Sequence, residues 1–244
     1  MPSMTLAGVD LAWQSNKNPS AIAVGVLAQG HLQVRSVAPA LTGLDQVQNF
    51  LAAQSDVQGI AVDAPLIIPN LSGQRPCEHA LGRDYSGRKA GCHPANLSLY
   101  PDALSVQLSQ SLWRQGFQHL RGSKWQFECY PHPSLIECFG LPERLLYKKG
   151  DVAAKKSGQI QLANLLRQLE HSPRLPFVIG PEWAELLDAE RIQGLRGQAL
   201  KSNEDALDAL VCLYIAALYA LGSSGRLYGD TEQGYIWVPT GLCC

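Results

Sequence analysis

Met4-Thr5-Leu6-Ala7-Gly8-Val9-Asp10 is a compact apolar run that ends in a carboxylate, the pattern of a buried strand with an acidic tip. A polar, turn-rich stretch from Gln14 to Ser20, with Pro19, leads to a second apolar run, Ala21-Ile22-Ala23-Val24-Gly25-Val26-Leu27. Gly30 then turns the chain into His31-Leu32-Gln33-Val34-Arg35-Ser36-Val37, which alternates with period two, so the three runs read as an antiparallel meander. Leu41 to Ala53 carries Leu44, Val47, Phe50 and Leu51 at helical spacing, behind Thr42 as a cap. Val57-Gln58-Gly59-Ile60-Ala61-Val62 is again a short buried strand, and it also ends in a carboxylate, Asp63. The order is β-β-β-α-β, with an acidic residue at the tips of the first and fourth strands.

Beyond Asp63 the pattern weakens. Pro65 to Pro101, with Gly73, Arg75, Arg83, Asp84, Gly87, Arg88, Lys89 and Gly91, reads as a long ordered loop or insertion, and long loops in compact domains are usually functional or disordered. A helix is expected over Ala103–Gln115. Trp125-Gln126-Phe127-Glu128-Cys129-Tyr130 reads as a fifth strand stopped by Pro131 and Pro133. Helices are expected over Ile160–Leu169 and Glu182–Leu187, and a terminal hairpin over Arg226–Asp230 and Tyr235–Pro239.

The run Asn203-Glu204-Asp205-Ala206-Leu207-Asp208-Ala209-Leu210 leads into Val211-Cys212-Leu213-Tyr214-Ile215-Ala216-Ala217-Leu218-Tyr219-Ala220-Leu221. From Ala206 to Leu221 the only charged side chain is Asp208, in a stretch apolar on every face, and such a helix is buried. A buried carboxylate needs a cation, a base or a metal as partner. Asp205 lies one turn earlier on the same face, and two carboxylates there suit a hard divalent cation such as Mg²⁺. The plainer explanation makes Ser202 an N-cap and the acidic residues dipole-favoured first-turn groups; it accounts for Glu204 and Asp205 but not for Asp208, which lies further in.

Bulk properties narrow the field. With 244 residues, 46% of them hydrophobic, the chain can bury one full core. A net charge of −1 gives no overall basic field, so contacts to a polyanion must be local. The sixteen-residue apolar run is short for a membrane span, and the N-terminus lacks a basic region followed by an apolar segment. No membrane association and a cytoplasmic location are expected. The seven cysteines read as reduced thiols. A zinc site from Cys77, His79, Cys92 and His93 lacks a C-x-x-C pair, and Cys243 and Cys244 read as a frayed end.

Asp10, Asp63, Glu128 and the Asp205/Asp208 pair thus stand out as a set. Singly, a strand-end carboxylate is more often a turn or cap residue. Gathered at one end of a sheet, however, they would repel one another severely unless cations joined them. The chemistry that uses such a cluster is two-metal hydrolysis of a phosphodiester.

The β-β-β-α-β order, with Gly8-Val9-Asp10 in strand one and a carboxylate on a late helix, resembles the ribonuclease H superfamily. More closely, Val62-Asp63-Ala64-Pro65-Leu66, Gly73-Gln74-Arg75-Pro76-Cys77-Glu78, Glu128-Cys129-Tyr130-Pro131, Asp205-Ala206-Leu207-Asp208-Ala209 and Gly234-Tyr235-Ile236-Trp237-Val238-Pro239 resemble the ribonuclease H-like nucleases grouped as domain of unknown function 429. The resemblance spans nearly the whole chain and implies one α/β domain over 1–244, with an insertion at about 65–101. Its ribonuclease H-like mixed sheet would have three antiparallel strands followed by parallel ones, flanked by helices. It also implies a Mg²⁺ (or Mn²⁺) nuclease centre: Asp10 would bridge both metals, Asp63 and Glu128 would hold one each, and Asp205 or Asp208 would complete the set. Asp63 stands where a longer Glu is usual, which changes its reach to metal. Nucleic acid is the partner so implied.

Arg75, Arg83, Arg88 and Lys89, with Lys148, Lys149, Lys155 and Lys156, are candidates for contacts to flanking phosphates. Arg75 and Arg88 lead, because nearby glycines permit close backbone approach, and Lys148 joins them as a substrate-binding candidate. The rival for Arg75 is an internal ion pair with Glu78 or Asp84. His79, His93 and His132 are set aside as structural. Two other classes compete with a nuclease: an ATP- or phosphate-binding protein of kinase or ATPase type, against which stands the lack of a Gly-rich phosphate loop after a strand, and an inactive binding module.

Overall fold

The computed structural model describes residues 3–54 and 56–241, so Cys243 and Cys244 lie outside the described residues. Strands β1 (Met4–Asp10), β2 (Pro19–Ala28) and β3 (His31–Thr42) form the expected meander, and helix α1 (Gly43–Ala53) crosses to β4 (Val57–Asp63), which lies parallel to β1. With β5 (Gln118–His119), β6 (Trp125–Glu128) and β7 (Phe177–Val178), they make a seven-stranded mixed sheet of order β5-β6-β4-β1-β2-β3-β7. This is the mixed α/β architecture, antiparallel then parallel, expected from the ribonuclease H resemblance.

Thr5 to Val9 are all buried because helices cover both faces of β1, which is why it reads as a continuous apolar run rather than an alternating one. On one face Leu6, Ala21, Ala23 and Phe127 pack with Leu207, Leu210 and Leu213 of helix α7 (Gly197–Ala220), the long helix foreseen from its sequence. On the other, Ala7, Val9, Ile22, Val24 and Val62 pack with Val47 and Leu51 of α1 and with Leu108 and Leu112 of α3 (Leu104–Arg114). Thr42 caps α1 without a side-chain bond; instead its backbone N–H donates to Gln46 Oε1 at 2.9 Å.

Several expectations need correction. The span 65–101 contains helix α2 (Pro76–Tyr85) and a 3₁₀ turn over Ser86–Arg88. Pro131 and Pro133 open helix α4 (Pro131–Phe139) rather than simply stopping a strand, since proline suits the first helical turn, where no N–H is needed. Helix α5 (Val152–Gln168) starts eight residues before Ile160 and is capped by Asp151, which accepts from Ala154 N at 2.8 Å. Pro181–Leu187 is 3₁₀ and is followed by α6 (Ala189–Gly194). The terminal hairpin is β8 (Gly225–Asp230) and β9 (Gly234–Pro239), a separate two-stranded sheet. Among the described residues no helix is long and apolar enough to cross a membrane.

Candidate functional site: a buried carboxylate cluster

β1 and β4 are parallel and in register, with Asp10 beside Asp63, so both carboxylates leave the same end of the sheet on the same face. That face is covered by α7, and Gly8 sets how closely. A Cβ built on Gly8 would lie 2.0 Å from Leu213 N and 2.4 Å from Ala209 O, so the helix backbone rests directly on the strand. This contact carries Asp205 and Asp208, both buried, to the tips of β1 and β4. Because α7 begins at Gly197, Ser202 is inside the helix and not its cap. Asp205 lies roughly two turns in, beyond the reach of the helix-end dipole.

Lys148, on the segment between α4 and α5, places Nζ 2.7 Å from Asp208 Oδ2 and 3.4 Å from Asp63 Oδ2. Tyr147 donates its hydroxyl to Asp208 Oδ1 at 2.6 Å. Lys201 Nζ donates to Glu204 Oε1 at 2.8 Å and Asp205 Oδ1 at 2.5 Å. Asp205 Oδ2 is buried, and no group donates to it. Four carboxylates therefore face two ammonium groups, one of them shared with Glu204, so when all are ionised three negative charges are uncompensated.

Their protonation reflects that imbalance. Burial, with the charges of Asp10 and Asp208, pushes the Asp63 carboxyl up to about 7 against the pull of Lys148. Burial and Asp10 push Asp205 up to about 8 against Lys201, and a hydrogen bond with Asp10 that forms only when a proton is present adds to the rise. Asp208 is also raised by burial and Asp10, opposed by Lys148 and Tyr147. Burial opposes the charge of Lys148, but Asp208, Asp63 and Asp10 outweigh it and hold the ammonium well above its ordinary value. His132, whose ring lies 5.3 Å from that of Tyr147, is driven down to about 3 by burial and by Lys148, so it is neutral.

The structure does not bring Glu128 into this set. Val62 pairs with Glu128 in the β4–β6 register, so the side chain level with Asp63 is Cys129, whose Sγ meets Cys212 on α7 at 3.6 Å. Strand side chains alternate, which sends Glu128 to the opposite side. There Arg75 donates Nη1 to Glu128 Oε2 at 2.8 Å and Nη2 to Oε1 at 2.6 Å. The same guanidinium donates Nε to Glu78 Oε1 at 2.9 Å and Nη1 to Ile67 O at 3.0 Å. Leu66 N and Ala95 N complete the network on Glu128 and Glu78.

Arg75 is only 1% exposed. The phosphate-gripping expectation for it is therefore corrected to the internal ion pair weighed as its rival, with Glu128 as a partner sequence did not suggest. Arg88 is partly turned inward as well, donating to Glu137 and to the carbonyls of Leu141 and Pro142, and Lys89 pairs with Glu143 at 2.6 Å. Arg83 is exposed. Lys148 is the one basic candidate held by the carboxylates.

Sequence reasoning missed Tyr147, Lys201 and Glu204. Lys201 had a signal in its placement four residues before Asp205 on one helix; Tyr147, in an irregular segment, had none. The imagined zinc set is not gathered: Cys77 is buried, while His79 and His93 are exposed. Among the described residues no three His, Cys, Asp or Glu side chains stand ready to hold a metal ion, and at the Asp63/Asp208 pair the position between the carboxylates is taken by the Lys148 ammonium. The donor set is nonetheless all carboxylate oxygen with one orphaned atom, Asp205 Oδ2, and that chemistry fits a hard divalent cation.

No curated protein and no solved structure gives a significant match to the chain. The family model described as "Protein of unknown function (DUF429)" matches residues 8–233, a span that holds every carboxylate described above, and the chain belongs to that family.

Proposed function

We propose that this protein is a Mg²⁺- or Mn²⁺-dependent hydrolase of phosphodiester bonds, acting on nucleic acid, with Asp10, Asp63, Asp205 and Asp208 as the carboxylates that hold the cation. One observation carries the reading. Four carboxylates from three separate stretches of chain converge at one sheet end with more negative charge than their two lysines balance, an arrangement a structural ion-pair network does not need. A divalent pair bound there would lower the pKa of an attacking water and steady the leaving oxygen.

The chain's own residues do the rest. Asp10, beside Asp63 and near enough to Asp205 and Asp208 to raise both, would be one of the residues to hold the cation. Asp205 holds a proton near neutral pH, which a bound cation would displace. Lys148 holds Asp63 and Asp208 together; with a cation on those carboxylates its ammonium would be available to a phosphate oxygen. Arg75 and Glu128 fix the segment after β4 rather than touching substrate. Among the described residues Cys77, Cys92, Cys129 and Cys212 are unbridged thiols, which supports a reducing, cytoplasmic setting.

A second reading, a silent binding module, is favoured by the Lys148 ammonium closing on Asp63 and Asp208. Labelled oligonucleotides and melting with added Mg²⁺ or Mn²⁺ separate the two. The hydrolase reading expects cleavage that Asp10→Asn abolishes. It also expects stabilisation of about 2.7 kcal/mol at a hundred times the dissociation constant, lost in Asp10→Asn and reached at lower metal concentration in Lys148→Ala. Stabilisation without cleavage would leave the binding module, and neither effect would remove the metal site.

A further inference from the structure

A cavity lies beside α3, which covers the sheet face opposite α7. It has a volume of about 870 Å³, and its lining includes Leu66, Ile67, Trp113, Arg114, His119 and Arg121. Leu66 is three residues beyond Asp63, so the near edge of the cavity lies within about 11 Å of that carboxylate's backbone.

One wall is planar and aromatic. Trp113 is 52% exposed and stacks with His119 at a centroid separation of 6.1 Å and an interplanar angle of 28°. His119 is fixed by both ring nitrogens, to Ser109 Oγ at 3.1 Å and Tyr235 hydroxyl at 2.7 Å, and burial lowers its pKa. Leu120 takes a left-handed backbone (φ 59°), uncommon for a side chain of its size. Its N–H donates to Gln126 O at 3.1 Å and its carbonyl accepts from Tyr219 hydroxyl at 2.6 Å, which holds His119 and Arg121 on either side of it. Arg114 and Arg121 are exposed and have no ion-pair partner among the described residues. A planar apolar wall beside two unpaired guanidinium groups is complementary to one chemistry above others, an aromatic base joined to phosphate.

We propose that this cavity is a subsite for an unstacked nucleotide of single-stranded nucleic acid, whose backbone continues to the carboxylate cluster. The base lies against Trp113 and His119, and the flanking phosphates meet Arg114 and Arg121. A duplex offers no free base face to such a wall, which is why the strand is single. The inference rests on the phosphodiesterase reading, and it names the strand that site would cut.

The test uses the full chain, with fluorescein-labelled eight-nucleotide DNA and RNA strands followed by anisotropy in EDTA, so that binding is read without metal. Wild type binds, and between 50 and 200 mM salt its affinity falls about sevenfold for two phosphate contacts on a single strand. Trp113→Ala weakens binding about five- to 150-fold. The Arg114→Gln/Arg121→Gln double variant flattens the salt dependence. Trp113 and both arginines are exposed, so melting temperatures should hold and confirm folding. Overturning results are the absence of oligonucleotide binding, wild-type affinity in both cavity variants, tighter binding of a blunt duplex, or a mononucleotide that binds as tightly as the strand. Each of these leaves Mg²⁺-dependent melting untouched, so the subsite can fail while the carboxylate site stands.

Discussion

Two clusters of buried charge lie on opposite sides of the sheet's end, and they differ in how far their charges are satisfied. Around Arg75, every strong interaction is answered: the guanidinium meets both carboxylates, and backbone N–H groups of Leu66 and Ala95 take up the remaining acceptors. Around Asp10, four carboxylates share two lysines, and one oxygen of Asp205 is orphaned. The first arrangement is what a fold needs in order to bury charge at all. The second is held in spite of its own repulsion, and such unresolved charge marks a place kept for a ligand.

The sharpest way to break this contrast is to remove one partner on each side. Arg75→Met strands Glu78 and Glu128 in the interior, and denaturant unfolding should show a loss of about 3–5 kcal/mol. Asp205→Asn relieves repulsion and should be neutral or stabilising in the absence of metal. If Asp205→Asn were as damaging as Arg75→Met, the carboxylate cluster would be a structural network like its neighbour.

Much of this was legible in advance. The β-β-β-α-β order follows from apolar runs and their periods, and Asp208 announces itself because a single charge inside a long apolar run needs a partner. What was not legible is relational. Glu128 and Asp63 both end strands, yet which face each takes depends on a register that pairs Val62 with Glu128, and one residue of slip reverses the answer. Arg75 finds Glu128 across 53 positions, and nothing local distinguishes that from a phosphate-binding arginine. Lys148 lies in an irregular segment with no period to place it.

Gly8 tests whether the geometry of the acidic cluster depends on backbone contact. Gly8→Ala sets a methyl against Leu213 N and Ala209 O at 2.0 and 2.4 Å, neither of which can rotate away, so α7 must shift. A loss of about 1–3 kcal/mol is expected, together with weaker Mg²⁺-dependent stabilisation, since moving α7 separates Asp205 and Asp208 from Asp10. Gly87→Ala, on the turn after α2, meets nothing within 4 Å and should be near neutral. Loss of stability with metal response intact would show that the cluster tolerates displacement of the helix.

The smallest effect sharpens the comparison by pH. Asp63 and Asp205 are raised to about 7 and about 8 from an ordinary 3.8, so between pH 4 and 8 the folded state binds more protons than the unfolded one. Stability from these groups is therefore fully present below pH 4 and is lost as pH rises through 7 and 8. His132, lowered to about 3 from 6.5, works the other way and takes stability away as pH falls below 6.5, so wild type alone mixes the two. The clean measurement is the stability of wild type minus that of Asp205→Asn, from urea melts between pH 5 and 9. That difference should decline across the range without metal. With saturating Mg²⁺ the sign should reverse, because the cation favours ionised carboxylates. A flat difference in both conditions would mean that Asp205 carries no displaced proton, and the contrast between a satisfied and an unsatisfied cluster would then lose its electrostatic basis.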